Sequence, residues 1–326
     1  MSKKVFYACL TLLLFQLSVI SKTLYAGDND ELKLIGISYM PAAKWGYDTE
    51  GGGPLNVKLD SNSFITYEGE MWFKSGFKFG VVADADKNII GKVRRVLGFI
   101  GYENFSIRAS GGNITGTAEW DGEGVPGQPK STKINTKYRS TDLIWGPNFG
   151  PSYGRVFYIA ISYTEYTMPV LMEWDYSSPR YVYDDNAKFK GYGLTFGGDT
   201  MYYTLNSRTA VRDSCCWLGF DPWVYYECPV LIGKMNISDE GVRRMREIVP
   251  DGEVVKDKQK YWFNGLQIDA ILGLMRRIEL GSTAIAIGVG YNFSFRYVIP
   301  SRGDGVSIPA PTLFRSGYIF RVISSF

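Results

Sequence analysis

The chain has 326 residues, with Lys+Arg 36 against Asp+Glu 33, four Cys and no His. A net charge of +3 with no basic block gives no reason to expect a nucleic-acid partner. The missing histidine removes the usual base of serine, cysteine and threonine hydrolases and the commonest metal ligand. No catalytic residue, metal centre or cofactor is therefore assigned from sequence.

The first element is a secretory signal over residues 1–26. Lys3 and Lys4 form a positive start, Val5 to Ile20 an apolar stretch, and Leu24-Tyr25-Ala26 precedes the acidic Gly-Asp-Asn-Asp. Lys+Arg and Asp+Glu balance in residues 27–326, because the signal holds three Lys and no acid. That second segment is read as one domain. It contains no further apolar run long enough for a membrane helix, yet it is rich in Gly, Tyr and Phe. These features together predict an all-β chain.

Alternation then recurs along it. Residues 70–81 set Met71, Phe73, Phe77, Phe79 and Val81 against Glu70, Lys74, Gly76, Lys78 and Gly80. Residues 156–163 set Phe157, Ile159, Ile161 and Tyr163 against Val156, Tyr158, Ala160 and Ser162, and 191–197 set Tyr192, Leu194 and Phe196 against Gly and Thr. In 266–274, Leu266, Ile268, Ala270, Leu272 and Leu274 oppose Gln267, Asp269 and Gly273. Residues 283–299 keep a period of two for about seventeen residues, against a usual strand of about five or six. One face there is apolar, while the other is Ala, Gly, Asn, Ser and Arg296. A soluble sandwich would put charge on its outer face. A closed antiparallel transmembrane β-barrel puts lipid outside and small or polar residues inside. It must close, because an open edge in hydrocarbon leaves backbone groups unsatisfied.

Ten strands are expected, near 31–40, 69–83, 92–118, 132–146, 153–172, 187–203, 207–233, 260–276, 280–299 and 312–326; eight or twelve fit the same pattern. Long outer loops fall at 41–68, 119–131, 173–186, 234–259 and 300–311. Short periplasmic turns fall near 84–88, 146–151 and 276–281. Within the fourth outer loop, 238–249 reads as a helix with Ser238 as N-cap and Asp239-Glu240 at its positive end. By parity Glu70, Lys74, Lys78, Asp269, Arg296, Arg315 and Arg321 face the lumen. They either pair into a plug or line a narrow ion-selective pore. Of the three Cys beyond the signal, Cys228 can close a short loop with Cys215 or Cys216 in an oxidising compartment.

The end of the chain, Gly317-Tyr-Ile-Phe-Arg-Val-Ile-Ser-Ser-Phe326, resembles the terminal strand of Gram-negative outer-membrane proteins. That resemblance implies an assembly signal carried by Tyr318, Phe320, Val322 and Phe326 and read by the barrel-assembly machinery. It also implies secretion across the inner membrane into the outer membrane, among phospholipid and lipopolysaccharide. Residues 111–124, with Glu119, Asp121 and Glu123 beside Trp120 at a loop mouth, look like the omptins and their non-protease relatives, which are ten-stranded barrels. Omptin proteolysis needs an Asp–His pair, and this chain has no His. The reading is therefore a barrel without enzymatic activity, with a structural, adhesive or recognition role toward an extracellular ligand. A small channel for ions or solutes is the alternative, and an aspartate-dependent protease using Asp121 is a third.

Overall fold

The computed structural model describes residues 31–49, 55–59, 63–73, 75–86, 93–120, 131–146, 157–174, 180–201, 220–248, 260–300, 306–307 and 311–326. The signal segment lies outside them. The strands are β1 (Glu31–Met40), β2 (Lys44–Thr49), β3 (Leu55–Leu59), β4 (Phe64–Phe73) and β5 (Phe77–Asp86). Next come β6 (Val93–Tyr102), β7 (Phe105–Trp120), β8 (Ser131–Trp145), β9 (Tyr158–Trp174) and β10 (Arg180–Asp199). The last are β11 (Asp221–Asn236), β12 (Lys260–Leu280), β13 (Thr283–Pro300), β14 (Val306–Ser307) and β15 (Pro311–Ser325). A helix, α1 (Asp239–Ile248), stands between β11 and β12.

Twelve of these strands form one closed antiparallel ring: β1, β4 through β13, and β15, which pairs back onto β1. At the seam Lys33 and Phe326 exchange both backbone hydrogen bonds, at 2.9 and 3.0 Å. The end of the barrel where β1 begins and β15 stops is its lower end. Higher up, β2 pairs with the first half of β15 and β3 with the last residues of β7. These two strands therefore fill the wall between β15 and β7 above β1 and β4–β6.

Twelve is the upper value the alternation allows, and the departure from ten has a physical cause. The 69–83 run is two strands, joined through Lys74, Ser75 and Gly76. Met71 pairs with Phe79 and Trp72 with Lys78, so the hairpin returns each side chain to the face it left. Period-two alternation cannot see such a turn. Its mark is Gly76, at φ 89°, where any other side chain would be strained. The 92–118 run also divides, at Glu103-Asn104, and here the faces do exchange: Tyr102 and Phe105 both point out. The predicted periplasmic turn at 84–88 is corrected. Asp84 and Asp86 belong to β5, whose end lies on the upper side, because the missed hairpin reverses every direction up to the next one. The predicted loop 41–68 contains β2, β3 and the start of β4. The turn at the foot of β12 is Gly281-Ser282, since β12 runs on to Leu280. Pro222 and Pro229 sit inside β11; Pro222 stands opposite Leu274 of β12, while the pairing with β12 skips Cys228 and Pro229.

The exposure profile is inverted relative to a soluble protein. Ile107, Ile161, Ile232, Leu272, Leu274 and Tyr318 are 55–65% exposed, all on the outer face. A continuous apolar surface of this extent is stable only against lipid. Aromatic residues border it. Tyr102, Phe105, Trp145 and Phe157 are exposed near the lower end, and eight or so residues up the wall Tyr163 packs on Tyr192 and Tyr291 on Tyr318. Among the described residues no helix is long and apolar enough to cross a membrane; the strands do so.

Candidate functional site in the barrel lumen

The lower lumen is filled first with apolar groups. Leu34, Trp72, Met201, Trp223, Met275 and Ile323 form a buried cluster between the walls. The small inner face of β13 makes room for it: a Cβ on Gly288 would come within 2.4 Å of the Met201 methyl and 2.9 Å of the Trp223 ring. Small residues chosen on one strand thus match a large indole contributed by another.

Two arginines bind the walls together beside this floor. Arg321 of β15 donates from Nε and Nη2 to Glu68 of β4 at 2.9 and 2.7 Å, and from Nη1 to Asp199 of β10 at 2.5 Å. β4 and β10 are six strands apart in the ring of twelve, so one guanidinium joins opposite sides. Asp199 also accepts from the Trp223 indole at 3.2 Å and the Met201 amide at 3.0 Å. Arg108 of β7 donates to Asp142 of β8 at 2.8 Å and to Glu227 of β11 at 2.7 Å. Tyr158 of β9 donates to the same Glu227 oxygen at 2.6 Å and accepts from Arg108 at 3.2 Å. Charges out of water at this depth persist because their partners are fixed in reach. A third pair stays within one wall: Arg95 meets Asp84 at 2.8 Å, and Thr66 donates to the same carboxylate.

Above these groups the lumen holds a cavity of about 280 Å³. Asp269, Arg315, Asn292, Ser294, Tyr225 and Phe314 are among its lining residues. At the upper end, buried Asp184 accepts from the Ser238 amide and hydroxyl, both at 2.7 Å, and Ser238 Oγ accepts from the Gly241 amide at 3.0 Å. Ser238 is thus the N-cap of α1, as its sequence predicts. Glu240 lies in the first turn, where hydrogen bonds from Arg243 and then Arg244 hold its carboxyl down at about 2.

Five of the seven sequence-assigned lumen charges do face inward. Glu70 is buried and accepts from the Trp72 indole at 3.2 Å, while Lys78 donates to the Glu103 carbonyl at 2.7 Å and lies over the Trp72 ring. Asp269 accepts from Gln267 at 2.6 Å, Arg315 lies 6.0 Å from the Phe64 ring centre, and Arg321 forms the cross-lumen tie. Lys74 and the side chain of Arg296 lie outside the described residues. Arg321 meets Glu68 and Asp199. Reading by parity missed Arg108, Asp142, Glu227, Glu68 and Asp199. The available signal was a single charge flanked by outward apolar residues, as in Ser106-Ile107-Arg108 and Asp142-Leu143.

Tyr318 and Phe320 are exposed on the outer face and Val322 is half-buried there, while Phe326 closes the seam. Cys228 carries a free thiol at an outward position of β11. Cys215 and Cys216 lie outside the described residues, so the pairing is left as an expectation. Glu119 is placed by its backbone alone, opposite Asn56 and Ser131. Asp121 and Glu123 are outside the described residues.

No family model and no curated protein matches the chain. Among solved structures, the outer membrane protease OmpT from Escherichia coli is similar at 9% identity, covering 92% of this chain and 97% of that one, with a TM-score of 0.29. The β domain of the Bordetella autotransporter BrkA is similar at 11% identity, covering 89% and 99%, with a TM-score of 0.19. Both are outer-membrane barrels. Neither superposition is close, so the reading below stands on this barrel's own geometry.

Proposed function

We propose that this chain is an outer-membrane β-barrel that recognises and binds, without conducting freely or cleaving. One observation carries the reading: Arg321 joins opposite walls through Glu68 and Asp199 beside an apolar floor of Trp72, Met201 and Trp223. A solute crossing the lower lumen would have to break that tie and leave its charges unpaired, which costs several kcal/mol. The lumen is then a polar chamber closed from below. It serves a structural, adhesive or recognition role whose ligand arrives from the loop side. The protease reading has no histidine base to use.

Planar-bilayer recording of the purified barrel decides between chamber and channel. The wild type is expected to give no unitary steps, and Arg321→Ala to give them. Steady unitary conductance from the wild type would overturn the closed-chamber reading in favour of a narrow channel. Outer-membrane placement rests on the lipid-facing belt and the terminal strand. Phospholipid, lipopolysaccharide and the barrel-assembly machinery follow from it as partners. Deleting Phe326 should impair assembly far more than Ser325→Ala, because Phe326 supplies both hydrogen bonds to Lys33 at the seam. Equal assembly of the two variants would remove the terminal strand as the signal.

A further inference from the structure

The cavity lining is unbalanced. Among the described residues it contains seven carboxylates against four arginines and no lysine. Five of the seven are held by arginine: Glu68 and Asp199 by Arg321, Asp142 and Glu227 by Arg108, and Asp84 by Arg95. Glu70 takes the Trp72 indole. Asp269 forms no ion pair among the described residues: its hydrogen-bond partner is the neutral amide of Gln267, at 2.6 Å, and the Arg95 guanidinium acts on it only from a distance. It is also directly opposite Glu227 in the β11–β12 ladder, so two inward carboxylates are cross-strand neighbours, of which Arg108 pairs with Glu227 alone.

A second, independent feature lies on the same wall. Asn292 of β13 is 4% exposed and lines the cavity. Its amide nitrogen donates to the Ala270 carbonyl, which fixes the group's orientation, and its Oδ1 then has no hydrogen-bond partner among the described residues. Two residues along, Ser294 faces the same way and pairs with Asp269 in the β12–β13 register. One wall therefore offers a carboxylate without an ion-pair partner among the described residues, a buried carbonyl oxygen and a hydroxyl. Tyr225, beside Ile271 in the next ladder, adds an aromatic ring to the lining. Arg315, the Ser294 partner on β15, has its guanidinium over Phe64 of β4.

We infer that the lumen binds a small organic cation carrying a primary ammonium group, with Asp269 as its counter-charge and Asn292 Oδ1 and Ser294 Oγ as further acceptors. Three oxygens suit the three N–H donors of an ammonium. A divalent metal would want more carboxylate than this wall offers, and among the described residues no three Asp, Glu, His or Cys side chains cluster as metal ligands would. The cavity, at about 280 Å³, has the size of a small-molecule site. This assignment rests on the closed-chamber reading, in which a solute entering from the loop side stops in the lumen.

Titration calorimetry on the purified, folded barrel tests it, with n-butylammonium as probe and n-butanol, tetramethylammonium and calcium as comparisons. n-Butylammonium should bind and n-butanol should not. Asp269→Asn, which keeps the shape, should weaken binding at least about tenfold, as loss of a charged hydrogen-bond partner does. Asn292→Leu should weaken it by a smaller factor, and heat-modifiability gels verify that each variant is folded. Equal affinity for wild type and Asp269→Asn overturns the site. Equal binding of tetramethylammonium overturns the hydrogen-bonding set, and tighter, Asp269-dependent binding of calcium replaces it with a metal site. A wild type that conducts yet binds n-butylammonium through Asp269 sinks the closed chamber alone. Absent binding with absent conductance sinks the ammonium site alone.

Discussion

The two arcs of the barrel are built differently. The short arc, β1 and β4–β6, has strands of 10 residues each. The long arc, β7–β13 and β15, has strands of 15 to 21 residues. In the short arc β4 and β5 meet through three residues; β6 meets β7 across the boundary of the arcs through two, and β12 meets β13 in the long arc through two. In the long arc, β8 and β9, and β10 and β11, are separated by longer connections. The lesson concerns both mechanics and reading. The three-residue hairpin between β4 and β5 saves chain and keeps neighbours in register, but it erases the break in alternation by which a strand's end is recognised, which the two-residue turn between β6 and β7 does not.

The largest test of how the arcs depend on each other is Arg321→Met. It removes the tie between β4 of the short arc and β10 of the long arc and leaves Glu68 and Asp199 buried without their cation. A loss of about 3–5 kcal/mol is expected in urea unfolding, as for other broken buried ion pairs. Adding Glu68→Gln and Asp199→Asn should recover part of it. An unchanged midpoint in the single variant would mean that the arcs hold without the strut.

Next in size, two glycines, one in each arc, should answer differently to the same small change. A Cβ on Gly193 of β10 would lie 1.8 Å from the Val230 carbonyl oxygen, backbone that cannot easily give way, whereas a Cβ on Gly69 of β4 meets nothing within 4 Å. Gly193→Ala should cost about 1–3 kcal/mol, in the range of overpacking, and Gly69→Ala close to nothing. Similar costs would erase this contrast. Within the long arc alone, Tyr158→Phe removes the hydroxyl bonded to Arg108 and Glu227 and should cost about 1–3 kcal/mol by the same assay, as a hydrogen bond to charged groups does.

The smallest effect lies outside the wall. Glu240 of α1 is held near 2 by Arg243 and Arg244, below its ordinary 4.5. A carboxyl depressed in the folded state stabilises it above the unfolded value and loses that contribution as pH falls through the folded one. Amide protection factors in α1, each rate being taken relative to the intrinsic rate at that pH, should therefore fall between about pH 4.5 and about 2. Glu240→Gln should abolish the pH dependence. Its persistence in that variant would assign the titration elsewhere.

Much of the wall was legible because lipid imposes a period. The outward Ile287, Val289, Tyr291 and Phe293 and the inward Ala286, Gly288 and Asn292 stand where alternation puts them. The site was only half legible. Parity says which side of the wall Arg321 faces, but neither its height nor which strand lies across the lumen. Its partners are 253 and 122 residues away in the chain. Glu68 and Asp199 carry no local mark of that meeting. Trp223 likewise reads as one aromatic among many until the small residues of β13 are folded against it. The helix α1 was readable in full because everything that caps it, apart from Asp184, is within a few residues.

The seam between β1 and β15 constrains how the chain can be made. Its pairings join Leu34 to Ser325 and Tyr39 to Phe320, so the earliest strand of the ring waits for the last. Until then both would carry a row of unpaired amides and carbonyls, which water tolerates and hydrocarbon does not. Contacts of this sequence separation also make closure slow. No partial barrel of this chain is a viable membrane species, and entry into the bilayer has to follow synthesis instead of accompanying it.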